Sequence, residues 1–195
     1  MAAAVLSCCA IWQHRQRMTE EIAEKVIRFH VLANSDTQED QNLKLKVRDA
    51  VGSYMQPRLK GISDIETSRR VIQKNLLGIT KLAEGIIAQE GYTYEIEASL
   101  AVTDFPEKTY GNYTFPAGKY EALEVVIGDG RGHNWWCVMY PNLCFFNSVY
   151  EVVDGEAEES LQRALTQEEY ESLMEGKDYE VRFALVERVR ELLGR

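Results

Sequence analysis

The stretch that most constrains the fold is Tyr120–Phe145, YEALEVVIGDGRGHNWWCVMYPNLCF. Leu123, Val125 and Ile127 alternate with Ala122, Glu124 and Val126, the period of a half-buried strand. The segment Gly128-Asp129-Gly130-Arg131-Gly132 then tolerates the positive φ angles of a tight turn. Trp135–Tyr140 reads as a second strand, stopped by Pro141, which cannot donate to a ladder. The stretch is therefore expected to form a β-hairpin.

Three chemistries compete for this hairpin. A phosphate cradle in the glycine run would need a helix behind it, and a strand follows instead. His133 and Cys137 share a strand face as a thiol–base pair would. They lie about 13 Å apart along a strand, too far for direct proton transfer. A zinc site from His133, Cys137 and Cys144 lacks the usual close spacing of ligand cysteines. A structural reading remains: Cys144 follows a Pro-Asn turn, so in an oxidising compartment Cys137 and Cys144 are expected to pair. So short a closed loop would contribute about 2–3 kcal/mol.

Elsewhere the pattern alternates between helix and strand. Met1–Trp12 is apolar, too short to span a bilayer, which takes about 20 residues, and has no basic residues ahead of it. It reads as the remainder of an export or anchor segment, the alternative being a frayed amphipathic terminus. Val5-Leu6-Ser7-Cys8 faintly resembles a lipoprotein cleavage box. Val26–Leu32 is expected as a strand, with Ile27, Phe29 and Val31 on one face and Arg28, His30 and Leu32 on the other. Ser35 with Gln38, or Asp36 with Glu39, has capping-box spacing. The helix it opens carries Leu43, Val47 and Val51 as its buried stripe and should end by Gln56, before Pro57. Ile65–Gln89 is a second helix behind Ser63–Glu66, closed by Gly91. Thr93–Val102 alternates as a strand with one buried face. Asp104–Gly118 reads as a loop whose aromatics either form a binding face or close the core. The stretch Glu151–Glu180 carries eleven acids against two bases. It holds a short helix opened by Thr166-Gln167-Glu168-Glu169, and a last amphipathic helix is expected over Val181–Leu192.

The fold class expected is α+β: a small, mostly antiparallel sheet (strands near 26–32, 93–102, 120–127 and 135–140) with helices packed on one face. Residues 1–25 would be a truncated export or anchor segment and spacer, and 26–195 a single domain with an acidic helical C-terminal portion. A net charge of −9 argues against nucleic acid or anionic lipid as principal partners.

Two blocks, Ile27–Val51 (IRFHVLANSDTQEDQNLKLKVRDAV) and Gly111–Phe145, resemble the stage II sporulation protein R family of endospore-forming bacteria in order and spacing. The resemblance implies a signalling protein and not an enzyme. Such a protein is exported from the forespore into the space between the two sporulating membranes. There it activates a membrane-embedded aspartic protease that processes the sigma-E precursor. It implies no cofactor, metal or small-molecule substrate, and a compartment in which a Cys137–Cys144 disulfide persists. The N-terminus departs from the family, whose members begin with a full signal or anchor segment. The docking face expected on this reading comprises Arg28, His30, Asn34, Ser35, Asp36, Asp40, Lys44 and Arg48, with Asn112, Tyr113, Gly130, His133, Asn134 and Trp135. Two other classes compete: an envelope Cys/His or metal-dependent hydrolase, and a structural envelope protein that binds peptidoglycan.

Overall fold

A computed structural model describes residues 2–141, 143 and 155–175. In chain order the elements are helix α1 (Ala2–Ala23), strand β1 (Ile27–Leu32), helices α2 (Gln38–Leu59) and α3 (Ile65–Gln89), and strands β2 (Ile96–Phe105), β3 (Lys108–Tyr110), β4 (Tyr113–Phe115), β5 (Gly118–Ile127) and β6 (Asn134–Tyr140). Helices α4 (Gly155–Ala164) and α5 (Gln167–Glu175) follow. The α+β class is as expected.

Strand β1 sits inside the sheet. The strand order is β2-β5-β1-β6, with β1 parallel to β5 and antiparallel to β6, and β2 antiparallel to β5. The expected hairpin is thereby overturned, because β5 and β6 are not neighbours and β1 lies between them. The physical reason is burial. Ile27, Phe29 and Val31 are buried, and so are Arg28 and His30 on the opposite face. Such a strand needs a hydrogen-bonded neighbour on each side to satisfy its backbone. The connection from Gly128 to His133 must then cross two strand spacings, about 10 Å, which a two-residue hairpin turn cannot do.

The register sorts the side chains. Phe29 pairs with Leu123 and Cys137, and Val31 with Val125 and Trp135. These share one face, on which α2 and α3 pack: Arg48 of α2 stacks over the Trp135 ring and Arg69 of α3 binds Glu121. Gly78 of α3 lets that helix approach Tyr54 of α2, whose hydroxyl would stand 2.3 Å from an added Cβ. The opposite face is covered at its lower end by aromatic residues. Phe105, Tyr110, Tyr113 and Phe115 are all buried. The segment read as a loop instead extends β2 to Phe105 and forms the β3–β4 hairpin around Gly111, φ 58°. Its aromatics close the core and do not form a binding face. Tyr113 bonds to Tyr170 of α5, and Lys25, just past α1, binds Glu169 of α5.

Helix ends follow capping chemistry, with two corrections. Thr37, and neither Ser35 nor Asp36, caps α2, accepting from the Asp40 N–H; Ser35 and Asp36 are engaged elsewhere. Helix α2 also runs through Pro57 to Leu59, because Met55 and Leu59 are buried and hold the last turn down. Ser53, whose carbonyl loses its donor to proline, is exposed to water. Gly91 closes α3 at φ 83° as expected. Thr166 and Glu169 form the reciprocal capping box. The helix expected over Val181–Leu192 lies outside the described residues. Among the described residues no helix is long and apolar enough to cross a membrane.

Candidate docking site at the exit of the central strand

Where β1 ends, the chain turns through Asn34, Ser35 and Asp36 into α2, and the β5–β6 connection passes over it. The two segments are tied by backbone donors of the connection. The Asp129 N–H donates to the Asn34 side-chain oxygen at 3.0 Å, and the Arg131 N–H to the Asn34 carbonyl at 3.2 Å. The Gly132 N–H donates to the Ala33 carbonyl at 2.9 Å, and the His133 N–H to Asp36 Oδ1 at 2.6 Å. The His133 ring Nδ1 lies against the same oxygen.

The glycines make this clasp possible. A Cβ on Gly128 would stand 2.4 Å from Asn34 Oδ1, and one on Gly132 would stand 2.2 Å from the Ser35 carbonyl oxygen. The second obstacle is backbone, which cannot swing aside. Gly132→Ala is therefore expected to cost about 1–3 kcal/mol, the usual penalty of forced overpacking. Chemical denaturation would read this as a lowered midpoint with an unchanged slope. A neutral result would show that the clasp is loose.

A buried layer supports the clasp from beneath. Asp40, buried, accepts from Ser35 Oγ at 2.6 Å and Asn34 Nδ2 at 2.9 Å. Burial alone would raise its carboxyl, but the hydrogen bonds from Ser35, Asn34 and Tyr94 outweigh it and hold the group below its ordinary range. Lys44, also buried, donates to the His133 carbonyl at 2.9 Å and to Gln41. Desolvation, followed by the neighbouring Arg48 charge, lowers its pKa, and Asp36 offsets part of this. Above this layer the His133 side chain is 82% exposed and Asp36 54%. The two hydrogen bonds from His133, backbone first, hold the Asp36 carboxyl down, so it stands as an anion at neutral pH.

The structure therefore divides the expected docking face. Asn34, Ser35, Asp36, Gly130, His133 and Asn134 come together at the clasp. Arg28, His30, Asp40, Lys44, Tyr113 and Trp135 are buried and present no free surface. Arg48 is half-buried over Trp135. Asn112 is exposed but sits on the β3–β4 turn. That turn abuts Arg28, about 20 Å along β1 from Asn34. Polarity suggested a surface for Arg28, His30, Asp40 and Lys44. Each instead works inside the fold, and only the twofold burial of β1 shows why. Sequence reasoning missed Gln41, which donates to the Ser35 carbonyl at 2.9 Å, and Tyr94, which supports Asp40. Neither has a local signal.

Cys137 is a half-cystine buried in β6, and Cys144 lies outside the described residues. Among the described residues, no group of His, Cys, Asp and Glu is placed to hold a metal ion.

A family model described as Stage II sporulation protein R matches residues 23–150, which contain α2, α3, the sheet and the whole clasp. The chain is also similar to the stage II sporulation protein R of Bacillus subtilis (strain 168). The two are 38% identical over 187 residues, covering 89% of this chain and 84% of that protein. No solved structure matches the chain.

Proposed function

The chain belongs to the stage II sporulation protein R family, and from that premise we propose that it is an exported sporulation signal that works by contact. It leaves the forespore for the space between the two membranes. There it binds the membrane-embedded aspartic protease that processes the sigma-E precursor. Binding favours the active protease only through tighter contact with that state, and the chain makes and breaks no bond itself. A disulfide between Cys137 and Cys144 belongs to the same reading, since such pairs persist outside the cytosol.

The observation that carries this reading is the clasp: an exposed carboxylate and imidazole held in place by buried hydrogen bonds. A preorganised polar surface loses little freedom when it docks. The competing hydrolase needs Cys137 as an accessible thiolate, whereas it is buried as a half-cystine.

The test is co-expression of the protein with the protease and the sigma-E precursor in a host that lacks sporulation. Asp36→Asn removes the exposed charge and keeps an acceptor for the His133 N–H, and His133→Gln removes the imidazole without touching that backbone bond. Each is expected to slow precursor processing at least tenfold with the thermal midpoint unchanged. Normal processing by both variants would remove the clasp as the docking face.

A further inference from the structure

A second surface lies along the edge of the sheet formed by β2. Strand β2 is an edge strand ten residues long, and among the described residues nothing pairs with its outer side. Its register with β5 runs unbroken from Ile96↔Ile127 to Phe105↔Gly118, so no bulge twists the edge away. It contains neither proline nor lysine, two devices by which proteins commonly blunt such edges. Val102 on this strand is 70% exposed. A long, regular edge with free backbone donors and acceptors is the template on which an extended peptide adds as a further strand.

The charge of the edge selects what can add. From Glu95 to Glu107 there are four acids and no base. Asp104 is answered by Lys119 of β5 at 2.9 Å, but Glu95 and Glu97 are exposed at the other end. Glu124 lies on the same face as Glu97, one diagonal step across, opposite Ser99. Its carboxyl is pushed up first by burial and then by the charge of Glu97, as expected where two acids crowd one face without a cation between them.

We propose that β2 is a strand-addition site for an extended segment of a partner protein carrying lysine or arginine. The basic side chain stands opposite Glu97, within reach of Glu124, and an apolar side chain covers Val102 on the other face. A second copy of this chain fits poorly. Antiparallel pairing of β2 with itself brings two acidic edges together, and no base in either strand offsets them. One end of this edge adjoins the clasp, where the Gly128 N–H donates to the Glu95 carbonyl at 2.9 Å, but the site uses the outer side of β2 and does not depend on the identity of the protease.

The probe is a ten-residue peptide alternating lysine with valine, compared with its glutamate counterpart, against the whole chain. Two readouts are taken: amide hydrogen exchange across residues 96–105 and peptide fluorescence anisotropy. The lysine peptide is expected to slow exchange of β2 amides at least tenfold. Its affinity should fall at least tenfold in Glu97→Lys, and it should weaken in Glu124→Gln, which keeps the side-chain shape. Equal binding of both peptides, or no loss in either variant, overturns the proposal. So does protection that falls only on the clasp. Protection of β2 that rises with protein concentration in the absence of peptide assigns the edge to a second copy and overturns it as well.

Discussion

Replacing Arg28 with alanine is expected to destabilise the domain by about 3–5 kcal/mol, the range for emptying a large buried site or stripping its partners. Arg28 is fully buried. Its guanidinium carbon lies 4.5 Å from the ring centre of Phe105, 5.0 Å from Tyr120, 5.2 Å from Phe115 and 5.7 Å from Tyr110. Nε donates to the Cys137 carbonyl and Nη2 to the Tyr110 hydroxyl, both at 3.1 Å. Nη1 has no hydrogen-bond partner. Among the described residues no carboxylate holds this cation; the electron-rich faces of aromatic rings and two neutral acceptors do. Desolvation therefore lowers its pKa, against the pull of the tyrosines. An arginine nonetheless stays protonated in a protein.

Two variants separate volume from charge. Alanine leaves a hole walled by aromatic rings and removes both donors. Methionine fills most of the space with no charge to desolvate, and apolar replacement of a buried ion is often neutral or stabilising. Urea unfolding should place Arg28→Met within about 1 kcal/mol of the parent and Arg28→Ala far below it. If methionine proves as damaging as alanine, the cation and its hydrogen bonds hold the site and packing does not. Any loss of signalling in Arg28→Ala would then follow from a damaged fold, because the side chain never reaches the surface.

The strand periodicities of β1, β2, β5 and β6 were legible because each obeys a local rule: apolar residues recur at period two, and glycine or proline closes the run. The Thr166–Glu169 cap and Gly91 were legible for the same reason. Adjacency was not. Nothing local says that β1 enters between β5 and β6, because the parallel β1–β5 pair joins segments separated by two helices and three strands. That one insertion changes the meaning of many residues. The glycine run becomes a bridge over the end of β1 and not a hairpin turn. Ser35 and Asp36 leave the helix cap for the clasp, and Thr37 takes it. Arg28 and His30, polar and on the face opposite Phe29, go inside because aromatic rings cover them: Phe105 and the β3–β4 residues Tyr110 and Phe115 over Arg28, Phe105 and Trp136 over His30. The clasp itself was half legible: Asn34–Asp36 and Gly130–Asn134 stood out by composition, but their contact required the topology.

Acid is expected to weaken the fold through His30 by up to about 3 kcal/mol between neutral pH and pH 4. His30 is 2% exposed, stacked on Trp136 at 5.0 Å and tilted against Phe105 at 5.2 Å. Glu124 Oε2 lies 2.7 Å from its Nε2, yet neither ring nitrogen has an aligned hydrogen bond. The contact is close but out of line with the ring N–H, too weak to hold a proton on the ring against burial. Desolvation, reinforced by the charge of Arg28, lowers its pKa from 6.5 to about 4. Between those values the unfolded chain binds a proton that the folded chain refuses. Stability is thus fully present above the unfolded pKa and falls as pH drops through the folded one. At 1.36 kcal/mol per unit this gives the stated limit of about 3 kcal/mol. Glu124, the other titratable group facing the ring, has its pKa raised, first by burial, and works the opposite way. It gains stability on protonation and trims the loss at the acid end. His30→Phe keeps an aromatic ring between Trp136 and Phe105 and removes the titration. Urea unfolding at pH 7, 6 and 5 should show the parent losing ground to His30→Phe as the pH falls. Parallel profiles would mean that His30 accepts its proton inside the fold, as a charged pair with Glu124, and that the open side of Glu124 admits enough water to support two charges.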